Sequence, residues 1–226
     1  MLEKLADGLW VDARPFRAGP FLEIGTRMSV VRLADGGLFL HSLVEIDDET
    51  REALERIGSV RFLVAGNLLH HLYLASAVKV FPQAELWGPP GLAGKRKDLR
   101  FEGVLGDEAP AAWRTDLDQL EVRGIPRANE VVFLHRASRT LLVTDLCFNV
   151  RHSDSLATRL FMRANGVYGR FGPSRLLRSL VRDRPALRAS LERILAWDFD
   201  RVVVTHGEVL ERGGRDALRA GFAWLL

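Results

Sequence analysis

The chain predicts an α/β fold in which layered sheets carry helices on their outer faces. Strand-type and helix-type patterns alternate in both halves of the 226 residues, the order expected of such layers. The strands are short, compact apolar runs of the kind that are buried on both faces. Three of these runs end in an ionisable residue, at "FLVAGNLLHH", "LLVTDL" and "VVVTHGE".

Each element follows from its residues. "MSVVRL" and "LFLHSLVEI" are β-type runs around Asp-Gly, which predicts a hairpin near residues 28–46. "DDETREALERIG" is a short helix: Asp47 or Asp48 caps it, acids fill its first turn, Ala53, Leu54 and Ile57 form an apolar stripe, and Gly58 stops it. "VRFLVAG" is a buried strand. After the segment "GNLLHH", "LYLASAVKVFP" is helical until Pro82, and "AELWG" is a further strand. "QLEVRGI", "EVVFLH" and "TLLVTDL" then predict three strands in close succession. Residues 154–197 are mostly helical, with leucines and isoleucines at three- and four-residue spacing. "RVVVTHGE" is a last buried strand and "GRDALRAGFAWLL" a closing helix. Residues 1–226 are expected to form a single domain.

Composition narrows the function classes. With 47% hydrophobic and 27% charged residues the chain has an ordinary globular make-up. No apolar run reaches the roughly 18–20 residues that span a bilayer, and the N-terminal residues do not read as a signal peptide. The single cysteine, Cys147, fits a reducing compartment, and a cytoplasmic location is expected. A net charge of +3 is too small to argue for nucleic acid, and no nucleic-acid motif is present. Residues 151–188, however, hold nine arginines against Asp154 and Asp183. A segment mixing arginines with Leu, Phe and Met can leave its charges in water, form a lid over a site, or lie on an anionic membrane surface. Solvated arginines are the default.

The chemistry is expected at the strand ends, where rigid strands fix side-chain positions. Of only six histidines, two are adjacent, His70 and His71, and His206 closes another run. Each has a bland reading: a histidine bonded to backbone near a helix start or strand end, or, for Asp145, a turn residue. Together, three buried strands ending in ionisable groups carry a desolvation cost that a shared metal removes. Imidazole nitrogen and carboxylate oxygen suit zinc, iron or manganese. Neighbouring residues on a helix point about 100° apart, so His70 and His71 share an ion only if the loop there is not helical. His71 is therefore the firmer ligand, with His70 a ligand or a general base beside the ion. Asn67 is a candidate for binding a substrate carbonyl or a turn residue leaving the strand, and Glu130 a substitute ligand, a base or a surface residue at a strand start. His41 and His135 read as structural.

The order of these motifs resembles the metallo-β-lactamase superfamily over about residues 25–210. The phrases "GNLLHH", "PRANEVVFLHRASRTLLVTDL" and "PPGLAGKRKDLRF" further resemble an uncharacterised branch of it. The resemblance implies an αββα four-layer sandwich, here with a helical insertion at about 150–197. It also implies a site of two metals, held by a His-x-His-x-Asp-His loop, a later His, a bridging Asp and a final His. Asp145 falls on the bridging Asp and His206 on the final His. With His71 on the last His of the loop, His70 stands on its Asp, Leu68 on its second His and Gly66 on its first. The later His is also missing, from "GIPRANE". The first metal thus loses its ligands, while the second keeps His71, Asp145 and His206, with His70 for an aspartate.

The expectation is one Zn or Fe ion held by His70, His71, Asp145 and His206. His70 and Asp145 would take part in activating water against a small-molecule ester, thioester, amide or phosphoester. Two alternatives stand beside it: a catalytically silent binding or scaffold protein, and a mononuclear iron redox enzyme.

Overall fold

The second half of the chain builds one face of the molecule and the first half the other. The computed structural model describes residues 2–19 and 21–226. In the first half lie β1 (Glu3–Ala6), β2 (Leu9–Arg14), β3 (Thr26–Arg32), β4 (Gly37–His41), α1 (Asp48–Ile57), β5 (Ser59–Val64), α2 (Leu74–Val80), β6 (Glu85–Gly88), α3 (Leu92–Lys95) and β7 (Gly103–Val104). The seven strands form one sheet in chain order, antiparallel from β1 to β4 and parallel from β4 to β7. The second half supplies β8 (Leu117–Glu121), β9 (Val131–His135), β10 (Thr140–Val143), α4 (Leu156–Ala164), α5 (Arg175–Ser179), α6 (Arg184–Leu195), β11 (Arg201–Val204) and α7 (Gly214–Gly221). Its sheet runs β11-β10-β9-β8, with β10 and β11 parallel.

Side-chain alternation along the strands explains the layers. Phe39 of β4, Phe62 and Val64 of β5, Val131 and Phe133 of β9, Leu142 of β10 and Val203 of β11 fill one cluster between the sheets. Their neighbours Leu38, Leu40 and Leu63 point the other way, onto Leu54 of α1 and Leu74 and Ala77 of α2. Val132, Leu134, Leu141, Val143, Val202 and Val204 meet Leu187, Leu191 and Ile194 of α6 and Leu218 of α7. Three apolar layers therefore separate four structural ones, the αββα sandwich. Trp113 centres the middle layer, edge-on to Phe39, Phe62 and Trp87 with ring centres 4.9–5.2 Å apart. Such pairs add about 0.5–1.5 kcal/mol each to the burial of their area.

The hairpin forms as its Asp-Gly turn predicts, with Gly36 at φ +86°. Asp47 caps α1 by accepting the Thr50 N–H. The N-terminal β1–β2 hairpin was not foreseen, because its charged residues hide a partly exposed sheet edge. The expected insertion at 150–197 divides in two. Helix α6 is part of the outer layer on the second sheet, while the shorter α4 and α5 lie beside the site, where they contribute Phe161, Met162 and Leu176 to one cavity. Among the described residues no helix is long and apolar enough to cross a membrane.

Candidate metal centre

Two parallel strand pairs bring the polar strand ends to one edge of the sandwich. In the β4–β5 pair His41 stands opposite Val64, and in the β10–β11 pair Val143 stands opposite Val204. Ser42, the loop from Gly66, Thr144-Asp145 and Thr205-His206 follow from those ends. His70, Asp145 and His206 each offer a ligand atom within 4.8 Å of the others. Asp145 is the hub: Oδ2 lies 3.2 Å from His70 Nε2 and Oδ1 lies 3.5 Å from His206 Nε2.

The tautomer of His206 is fixed by its other nitrogen. Nδ1 sits 2.7 Å from the Gly25 carbonyl oxygen, which can only accept, so Nδ1 carries the proton. In a neutral ring Nε2 then directs a lone pair at a carboxylate oxygen. Two acceptors face each other unless a second proton or a cation lies between them. Phe148 stacks on the ring at 5.4 Å and 15°, holding its plane. His70 is oriented by Ser42 Oγ at 3.3 Å from Nδ1, and Ser42 is in turn 3.0 Å from Thr205 Oγ1. Burial works against a charged His70 ring, but Asp145 outweighs it and raises the pKa. Burial likewise opposes the Asp145 carboxylate, yet His70 and His206 hold its pKa well below the usual range. The donor set of two imidazoles and one carboxylate, gathered where a positive charge is favoured, fits a divalent cation.

Asn67 joins the two loops. Its amide donates to Thr144 Oγ1 (2.9 Å) and Asp145 Oδ2 (2.7 Å), while its Oδ1 accepts the backbone N–H groups of Leu69 (2.9 Å) and His70 (2.8 Å). It is fully buried and its hydrogen-bonding capacity is used internally, so it positions Asp145 and His70 and does not reach a substrate. Glu130 is corrected too. It is buried beneath the Asp145 turn, accepting backbone N–H groups from Thr144 (2.7 Å), Asp145 (2.8 Å) and Leu146 (2.8 Å), and is neither a ligand nor a surface residue. Burial, with Asp145 nearby, pushes its pKa up to about 7 despite those donors.

His71 departs from its expected place. The segment between β5 and α2 is not helical, as sharing would require, but the two rings still diverge and His70 is the one that turns inward. His71 Nδ1 lies 3.3 Å from Arg96 Nη1, which also donates to the His71 carbonyl. Burial, with Lys95 and Arg96 nearby, lowers the His71 pKa; that cationic setting opposes a metal as well. Two basic residues of "GKRKD" support the loop, since Lys95 Nζ donates to the Leu68 carbonyl (2.8 Å) and Arg96 to that of His71.

The site opens into a cavity of about 330 Å³. His70, Asp145 and His206 form its polar floor, and Ile24, Leu43, Phe148 and Met162 are among its apolar walls. Leu69, Leu72, Phe161 and Leu176 ring the mouth, each at least 38% exposed. Sequence reasoning missed Ser42, Thr205 and the whole cavity. A signal existed for the threonines: "VTD" and "VTH" end strands that pair in register, so Thr144 and Thr205 occupy equivalent places.

No family model matches the chain, and no curated protein matches it. Solved structures do. The metallo-β-lactamase DIM-1 in a structure exposed to ceftazidime is 14% identical, with a TM-score of 0.68 over 99% of this chain and 96% of that one. A metallo-β-lactamase from Hirschia baltica is 13% identical, with a TM-score of 0.67 over 100% and 96%. The metal-soaked Flv1 flavodiiron core from Synechocystis sp. PCC6803 is 12% identical, with a TM-score of 0.69 over all of this chain and 60% of that one. The chain has a metallo-β-lactamase-like fold.

Proposed function

We propose that the protein is a metal-dependent hydrolase acting on a small-molecule substrate, with one ion held by His70, Asp145 and His206. The observation that carries this reading is the His206 ring, whose Nδ1 is committed to Gly25 while Nε2 faces Asp145 at 3.5 Å. A cation relieves that opposition. Three protein ligands leave coordination positions open, and a divalent ion held this way supplies Lewis acidity that makes water nucleophilic near neutral pH. The chain's own residues do the rest. Ser42 and Gly25 orient the two rings, Asn67 holds the carboxylate, and the apolar walls limit water at the floor.

The test is elemental analysis of protein purified without a histidine tag, followed by assays on esters, thioesters, amides and phosphoesters. The expected result is close to one zinc per chain and turnover that falls at least about 100-fold in Asp145→Ala with the fold intact. Metal without turnover on any class would favour a silent scaffold instead. One observation also supports an iron redox enzyme: two histidines and a carboxylate are the donor set of many non-haem Fe(II) centres. Iron in place of zinc, with oxygen consumption, would select that reading.

A further inference from the structure

We propose that the substrate is an ester or thioester with an unbranched aliphatic acyl chain, which lies in the cavity above His70, Asp145 and His206. This rests on the hydrolase reading for its chemistry but on the cavity for its chain. Among the described residues, Thr26 and Tyr73 are the only lining residues apart from the floor with a polar side-chain oxygen or nitrogen. A sugar, nucleotide or peptide in that space would bury polar groups without partners. An aliphatic chain buries none. The volume of about 330 Å³ is at the small end for ligand sites. Met162, at 2% exposure, and the more exposed Phe161 and Leu176 all line the cavity, so apolar wall is offered both in its interior and toward solvent.

The mouth is suited to such a ligand in solution or at a surface. Leu69, Leu72, Phe161 and Leu176 stand exposed there, and Leu156 and Leu160, on the same helix as Phe161, are exposed as well. Among the described residues Arg159, Arg163 and Arg175 of the adjoining helices have no carboxylate partner: Arg159 and Arg175 donate to the Ser153 and Ala164 carbonyls, and Arg163 lies over Tyr168. In the reaction the oxygen of water bonds to the acyl carbon, and the bond from that carbon to the leaving oxygen or sulfur breaks. One water proton goes to the leaving group and the other is released with the carboxylate product.

The experiment separates chain recognition from hydrolysis. 1-Alkanols from butanol to decanol are titrated calorimetrically into metal-free and zinc-loaded protein. Affinity is expected to rise about fourfold per methylene, the equivalent of ~0.8 kcal/mol for each buried CH₂, with an increasingly negative heat-capacity change. Phe161→Asp and Leu176→Asp, both at exposed positions, are expected to weaken decanol at least tenfold and butanol little. Affinity independent of chain length, or unchanged in both variants, overturns the proposal. Chain-length dependence with no turnover on esters, thioesters, amides or phosphoesters supports the acyl site and overturns the hydrolase reading. Turnover of short esters without chain-length dependence does the reverse.

Discussion

Gly66 and His70 belong to one loop, yet their surroundings are opposite. A side chain on Gly66 would begin 2.3 Å from His41 Nε2 and 2.8 Å from Thr144 Cγ2, so that position is packed shut. His70 turns instead to a cavity with room for a ligand. By the sequence resemblance Gly66 stands where the first metal's first histidine would be. The comparison teaches that a side chain at position 66 has no hollow to enter. His41, Thr144 and Glu130 fill and brace the closed side, while His70, Asp145 and His206 keep the open one. Placing a histidine at position 66 would therefore require His41 and Thr144 to move.

The largest effect is expected from the brace beneath the open side. Glu130→Leu leaves three buried backbone N–H groups without an acceptor, at about 1–3 kcal/mol each. Urea denaturation should show a loss of about 3–9 kcal/mol, and Glu130→Gln, which keeps one acceptor oxygen, a smaller one. A neutral result for both would mean that the Asp145 turn does not depend on this carboxylate.

The closed side can be probed by pH. Burial drives the His41 pKa from 6.5 down to about 3, and its Nε2 has no partner among the described residues. The unfolded chain takes up this proton below pH 6.5 and the native ring does not. The stability tied to neutral His41 is thus complete above pH 6.5, declines through the interval below it and is gone near pH 3. The full span is about 5 kcal/mol. Glu130, with its raised pKa, acts in the opposite sense between pH 4.5 and about 7, so only a difference measurement isolates His41. Wild-type stability minus that of His41→Leu should rise with pH from about 3 to 6.5 and then level off. A flat difference would show that water reaches the ring.

A smaller effect tests the packing directly. Gly66→Ala must displace a buried imidazole or the Thr144 methyl, an overpacking cost of about 1–3 kcal/mol. If His41 is the obstacle, the cost shrinks in a His41→Ala background, with a coupling above about 1 kcal/mol in the double-mutant cycle. Independent effects would place the obstruction elsewhere.

Much of this arrangement was legible in the chain. Apolar alternation in β4, β5, β9, β10 and β11 specifies both faces of each strand, and therefore the layers. Asp145 and His206 were readable because each ends an apolar run. Asn67 and Glu130 were visible as polar residues near the site, but their roles depend on backbone N–H groups, and spacing says nothing about where those point. The cavity was not readable, since its walls come from the N-terminal segment, the β4 end, the histidine loop and two short helices distant in sequence. Nor could sequence decide between adjacent histidines: "HH" gives two identical rings, and the choice is made by Arg96 on one side and Asp145 on the other.

That choice supplies the smallest perturbation and the finest discrimination. His71→Ala removes a partly exposed ring whose Nδ1 has one contact, with Arg96, and Arg96 keeps its bond to the residue 71 carbonyl. Stability should change by less than about 1 kcal/mol, and zinc affinity by less than about twofold. His70→Ala removes one of the three proposed ligand atoms, so affinity should fall by more than the about 10–100-fold typical of losing a mere supporting partner. Equilibrium dialysis of zinc against the two variants measures both. If His71→Ala lost the metal and His70→Ala kept it, the loop would have to turn over on binding, exchanging the Arg96 contact for coordination. The open side would then belong to the neighbouring residue, and the arrangement around Asp145 would describe only the metal-free protein.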